Sequence, residues 1–204
     1  SITTAIREMR HKGVSIMIAS QDGFSSAGPT GAYEYFAKSV STDIADVLVN
    51  SPSPGQVNLY VLMDDGTPAG DEIKNQVAAA CSADERRPAT DYVVVDDPEE
   101  VTFNIDLTYY LSSDSDMSVS DMQSAVTAAA NEYVAWQMGK FGRDINPSKL
   151  EQYIMNAGVK RVEITSPTYT ALRDGTASQI PADMVPQIGQ IGTITLTYGG
   201  IERE

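Results

Sequence analysis

Histidine and cysteine are almost missing from this chain: His11 and Cys81 are single occurrences in 204 residues. One cysteine excludes an intrachain disulfide framework, and the lone pair, far apart in sequence, leaves no zinc-finger or Cys-His nucleophile arrangement. Positive charge is also scarce. Lys and Arg number 14 against 28 Asp and Glu, a formal net charge of −14. Surfaces that track nucleic-acid phosphates use clustered cations to displace counterions, so nucleic acid is not an expected partner. No apolar run approaches the roughly 20 residues of a spanning helix, and no membrane span is expected. The opening Ser1 is followed by no cationic start, apolar stretch and small-residue cleavage site. The expectation is therefore no secretory signal, and a fragment of a longer chain. What remains is a globular composition, 42% hydrophobic and 21% charged, long enough for one or two domains that each bury a core.

The acids are unevenly spread, with eleven between Asp84 and Asp121 against Arg86 and Arg87. Ile2, Ala5, Ile6 and Met9 recur at helical spacing, with Arg10, His11 and Lys12 at the negative end before Gly13. Val14, Ile16 and Ile18 alternate, and the glycines from Gly23 to Gly31 break both periods. A helix is expected over Ala32–Val40. A hairpin is expected from the Val47–Val49 strand, through Ser51-Pro52-Ser53-Pro54-Gly55, to the Val57–Met63 strand. Thr67 with Pro68 predicts the start of a helix that buries Ile73, Val77 and Ala80. Ser82–Pro88 is a polar break, where the domain boundary is placed.

Beyond it, Val101, Phe103, Ile105, Leu107, Tyr109 and Leu111 alternate with polar residues and Tyr110 over eleven positions, which predicts a strand with one buried face. Ser118 and Asp121 resemble a capping box, ahead of a stripe of Val119, Met122, Val126, Ala129, Tyr133 and Trp136. Asn146-Pro147 opens another helix, stopped by Gly158, before strands near Val162–Thr165 and Ile194–Tyr198. A faint echo links Ile44–Pro52 with Val159–Pro167, each a helix-to-strand passage ending in Ser-Pro.

Chemical motifs are weak. Ala27-Gly28-Pro29-Thr30-Gly31 lacks the lysine of a phosphate loop. Gly23-Phe24-Ser25-Ser26-Ala27-Gly28 approaches a nucleophile elbow, but its second glycine is one position late and His11, the one candidate base, lies in an unrelated helix. Asp64, Asp65 and Asp71, or Asp114 and Asp116, lack the ligand spacing of a calcium loop and suit turns and helix caps better. Trp136, Tyr33, Tyr35, Tyr109 and Tyr110 fall on helix or strand periods, which favours packing over ligand stacking. Cys81 reads as a small buried apolar group. No residue is nominated as catalytic, cofactor-binding or metal-ligating, and no metal or cofactor is expected.

One ordered series carries more information than any of these motifs. It runs from Gly23-Phe24-Ser25-Ser26-Ala27-Gly28-Pro29-Thr30-Gly31-Ala32-Tyr33, through Ser51-Pro52-Ser53-Pro54-Gly55 and Arg87-Pro88-Ala89-Thr90-Asp91, to Gly142-Arg143-Asp144-Ile145. It continues with the Ser148–Leu150 helix start, Gly158-Val159-Lys160-Arg161-Val162-Glu163, and Gly192-Thr193-Ile194-Thr195-Leu196-Thr197-Tyr198-Gly199-Gly200. In this order the chain resembles the baseplate J-like proteins of contractile-tailed phages and prophages, from about Asp22 onward. The family carries a further N-terminal region, so the resemblance implies the middle and C-terminal parts of a larger subunit.

The expected architecture is two small α+β domains, 1–84 and 85–204, with mixed or antiparallel sheets flanked by helices. The function that the resemblance implies is a non-catalytic wedge subunit of a contractile-tail baseplate, placed in the virion and in the bacterial host cytoplasm during assembly. Its partners would be other wedge subunits, copies of itself, and tail-fibre attachment or sheath-proximal proteins. The competing classes are a carboxylate-using hydrolase and a carbohydrate-binding or adhesion module. The Arg87–Asp91 segment is expected to act locally, with Thr90 or Asp91 satisfying loop amides before a Tyr92–Val95 strand. The charge of −14 opposes self-association and Thr193–Tyr198, if at a sheet edge, invites it. A monomer or weak dimer that strengthens with salt is expected.

Overall fold

A computed structural model of the chain describes residues 28–82 and 91–204. The readings at Ile2–Met9, Val14–Ile18, Gly23–Ala27, His11 and Arg87–Thr90 lie outside these residues. Two compact units emerge, one comprising the described residues through Glu99 together with Arg173–Pro186, the other Glu100–Leu172 with Gln187–Glu204. Among the described residues no helix is long and apolar enough to cross a membrane.

The first unit runs α1 (Gly28–Lys38), β1 (Ile44–Ser53), β2 (Gln56–Met63), α2 (Asp71–Ser82) and β3 (Tyr92–Asp96), with sheet order β1-β2-β3. β1 and β2 form the expected antiparallel hairpin, with Val47 opposite Val61 and Val49 opposite Leu59. Gly55, at φ 77°, supplies the left-handed turn residue that a side chain would resist. β3 pairs parallel to β2, Val57 opposite Val93, and so lies in the first unit although it follows the Ser82–Pro88 break. Tyr33, Phe36, Val47, Leu59, Val61, Val77 and Cys81 form one core.

The helix start expected at Thr67–Pro68 is three residues early. Asp65 Oδ1 accepts from both the amide (3.0 Å) and the hydroxyl (2.5 Å) of Thr67, so that side chain faces back into the turn. Pro68 bridges Leu62, and the first intrahelical bond runs from Lys74 N to Gly70 O. Asp71 and Glu72 then occupy the first turn of α2, where the helix dipole favours anions.

The second unit runs β4 (from its second residue; the strand spans Glu99–Ser112), α3 (Val119–Gln137), α4 (Pro147–Asn156), β5 (Arg161–Ser166) and β6 (Gln187–Glu202), with sheet order β5-β4-β6. Along β4 burial alternates as the sequence requires: Phe103, Ile105, Leu107, Tyr109 and Leu111 are buried, and Thr102, Asn104 and Asp106 are exposed. The buried row packs with Met122, Val126, Ala129, Ala130 and Tyr133 of α3 and with Leu150 and Ile154 of α4. Ser118 caps α3 by accepting from Asp121 N at 3.1 Å, and Asn146 caps α4 by accepting from Ser148 N at 3.0 Å. β5 is antiparallel to β4. β6 runs parallel to β4, because contacts advance together along both strands: Gly189 beside Phe103, Thr193 N on Asn104 Oδ1, Ser113 N on Glu202 O. Both sheets are therefore mixed and three-stranded, each with one antiparallel and one parallel neighbour on its central strand.

Candidate functional site

The described acids that could have formed a cation site are engaged in turns and ion pairs. Asp65 closes its own turn on Thr67, and hydrogen bonding to Thr67 holds its carboxyl below the usual range. Asp71 and Asp97 both lie near Lys74 Nζ, at 3.4 and 3.1 Å. The Asp114 amide donates to the Ser112 hydroxyl oxygen at 3.1 Å, as in a solvated turn. Among the described residues no group of three or more His, Cys, Asp and Glu side chains converges. Ser25 and His11, the weak elbow and its one candidate base, lie outside the described residues.

The aromatic residues pack. Tyr33 and Tyr109 are buried. Tyr33 Oη donates to Asp91 Oδ2 at 2.8 Å, which gives Asp91 a side-chain partner 58 positions away. The half-buried Trp136 ring is covered by the Arg143 guanidinium at 4.2 Å and the Lys149 ammonium at 5.3 Å. Arg143 also donates to Trp136 O. Exposed Tyr169 donates to Asp144 Oδ2 at 2.8 Å. Cys81 is fully buried, as its place in an alanine-rich helix predicts.

Two buried amides were not legible in the sequence. In the first unit Asn50, on β1, donates through Nδ2 to Gly175 O (2.9 Å) and Met184 O (2.5 Å), while its Oδ1 is buried with no hydrogen-bond partner. Two acceptor carbonyls fix which end of the amide is nitrogen. The Arg173–Pro186 segment, with a 3-10 turn at Pro181–Met184, is thus tied to the edge of β1. Beside this clasp lies an open depression of about 720 Å³, lined by Thr30, Val49, Ser51, Pro52, Thr176–Gln179 and other neighbours, with no carboxylate among them. In the second unit Gln137, fully buried on α3, accepts at Oε1 from Tyr133 Oη (3.0 Å) and Asn146 N (3.2 Å). Its Nε2 donates to Arg143 O and Asp144 O. All four hydrogen-bonding positions are used, and the loop between α3 and α4 is held by one side chain.

The outer face of the second sheet carries a charged stack. The Arg161 guanidinium lies 3.7 Å over the Tyr110 ring and pairs with both oxygens of Glu202, with Nε to Oε2 at 2.8 Å. Hydrogen bonds from Arg161 hold the Glu202 carboxyl below its usual range. Tyr110 covers Gly199, where an added Cβ would meet ring carbons at 2.5 Å. β6 forms one edge of this sheet, and Ile194 and Ile201 on it are 40% and 60% exposed. The geometry provides broad faces and a strand edge, and no carboxylate lines the depression in the first unit.

Comparisons with known proteins agree in their order along the chain. The family described as Baseplate J-like central domain matches residues 25–96, and that described as Baseplate J-like protein C-terminal domain matches residues 103–196. Baseplate protein J of Escherichia phage P2 is 31% identical over 147 residues, which cover 72% of this chain and 48% of that protein. The chain thus spans about half the length of this relative.

Proposed function

Because the chain belongs to the baseplate J-like family, we propose that it is part of a structural subunit of a contractile-tail baseplate and works in the wedge, by presenting surfaces to neighbouring subunits. The observation that carries this reading is the succession of two domain matches: 25–96 ends before the chain leaves the first unit at Glu99, and 103–196 spans most of the second unit together with the returning Arg173–Pro186 segment. In this reading the first unit is the middle domain and the second the C-terminal domain of the subunit. The faces described above suit assembly: a polar outer sheet face, an open depression without acids, and an edge strand. The partners are other wedge subunits, further copies of this chain, and fibre-attachment or sheath-proximal proteins, in the virion and in the host during assembly. A carboxylate-using hydrolase would need converging acids in a cleft, and the depression in the first unit is lined by none.

The test is made on tails. In a strain producing the phage or tail particle, an epitope-tagged full-length gene should place its peptides in purified tails, at the baseplate end by immuno-electron microscopy. Loss of the gene should leave tubes and sheaths without assembled baseplates. Normal tails without the tagged protein would overturn the proposal.

A further inference from the structure

The two sheets leave four edge strands among the described residues: β1 and β3 in the first, β5 and β6 in the second. Natural edges are protected from pairing with other chains by charge, shortness or cover. β1 carries Asp46 and is clasped through Asn50 by the 173–186 segment. β3 has five residues and ends in Asp96, and β5 carries Arg161 and Glu163. Among the described residues, β6 shows none of these protections along Thr193–Tyr198. It is 16 residues long, and from Gln187 to Ile201 it carries no charged side chain, while Glu202 at its end is engaged by Arg161. Its middle, Thr193-Ile194-Thr195-Leu196-Thr197-Tyr198, consists of residues that favour extended backbone, apart from the leucine.

Neutrality selects the occupant of this edge. In a chain of net charge −14, most surfaces that meet their own copy bring acids against acids. A basic partner would be better recognised by an acidic edge, whereas an uncharged strand can face itself without local repulsion. An antiparallel pair of identical strands is also closed by a two-fold axis, so pairing stops at two copies. We propose that β6 is a self-pairing edge, through which two copies of this chain join their second-unit sheets by antiparallel main-chain hydrogen bonds about Thr193–Tyr198. The proposal rests on the assembly reading above and specifies where one of its contacts lies.

The full 204-residue chain is followed by sedimentation equilibrium from micromolar to millimolar concentration, at about 0.05 and about 0.5 M salt. Hydrogen exchange is read by residue under the same conditions. A dimer is expected that strengthens with salt, with exchange slowing at 193–198 as concentration rises. Thr195→Lys and Thr197→Lys, both at exposed positions, should weaken it severalfold to about tenfold by placing like charges near the pairing axis. Thr127→Lys on the exposed face of α3 makes the same change in net charge and should leave association unchanged or slightly tighter. Circular dichroism and urea midpoints verify that each variant folds; if one strand variant does not, the other carries the comparison. A monomer at millimolar concentration in high salt overturns the proposal. So does a dimer without protection at 193–198, or one indifferent to both strand variants. Protection that arises only when another wedge protein is added would assign the edge to that protein instead. Entry of the chain into tails is scored separately: tails that incorporate a non-pairing chain defeat the self-pairing alone, and pairing without incorporation defeats the baseplate reading alone.

Discussion

Gln137 is a polar side chain on the buried stripe of α3, and its stability contribution comes from what would be stranded without it. Replacing it by leucine leaves Arg143 O, Asp144 O, Asn146 N and the Tyr133 hydroxyl short of a partner in a site closed to water. Gln137→Leu should therefore lower unfolding free energy by about 2–4 kcal/mol, with the urea slope unchanged. Gln137→Glu keeps the shape and the acceptor but turns the donor into a second oxygen facing two carbonyls. Burial disfavours the ionised form, so that variant's deficit should be smallest in acid and grow as pH rises through neutrality. A deficit independent of pH would mean that water reaches the site. Beside it, burial pushes the Tyr133 phenol up to about 12, from the ordinary 10.0. The sign follows: between pH 10 and 12 the unfolded chain releases a proton that the folded chain retains. Stability is fully present below 10 and falls as pH rises across that window. Buried Tyr60 and Tyr109 are shifted in the same direction, also mainly by burial. Tyr133→Phe should thus shallow the alkaline decline measured by urea unfolding without abolishing it.

Elements differ in how much of them a one-dimensional pattern can show. β4 was legible because its signal is local: a period of two over eleven residues assigns each side chain to a face, and the burial pattern follows it. The cap of α3 was legible for the same reason, since Ser118 bonds an amide three residues away. Ser118→Ala should cost about 1 kcal/mol in thermal or urea unfolding, and Ser118→Asp should restore most of it. A loss below a few tenths of a kcal/mol would show that Ser118 contributes little to the cap. The start of α2 was misread because Thr67 and Pro68 suit a helix entry as well as they suit the turn and bridge that tertiary contacts select. The pairing of β6 with β4 was not legible at all, because its contacts span 86 to 91 positions. Asn50 and Gln137 carry no sequence signal of their burial, since their partners are backbone groups that spacing does not reveal. The candidate site has the same character: the exposed edge of β6 shows in the sequence only as a neutral, β-forming run, and becomes an edge when the sheet order is known.

At the scale of the molecule the chain does not complete one unit before starting the next. It builds the first to Glu99, passes into the second through Leu172, returns for Arg173–Pro186, and ends in the second with β6. The returning segment brings the carbonyls of Gly175 and Met184 to Asn50, from 125 and 134 positions downstream. It also brings Pro186 O to Glu99 N at 2.9 Å, and the Arg173 guanidinium to the Glu99 carboxylate. Gly175, at φ 71°, is fitted closely enough that an added Cβ would meet Met184 O at 2.8 Å and Leu48 at 3.0 Å. A fragment ending at Glu99 keeps every strand of the first sheet and loses this cover. Asn50 Nδ2 would then lose both acceptors, and the partly buried Ile44–Ser53 strand, at the edge of its sheet, would lose its clasp. Residues 1–99 alone should therefore be less stable than the same unit in the whole chain by about 2–5 kcal/mol, through two lost hydrogen bonds to a buried amide and the exposure of Leu48 and Met184 contacts. Adding a peptide of residues 170–188 in excess should recover part of that difference by mass action, and the same peptide with Gly175→Val should recover less. Equal stability of residues 1–99 with and without the peptide, in urea unfolding followed by tyrosine fluorescence, would show that the segment only passes over the first unit and does not complete it.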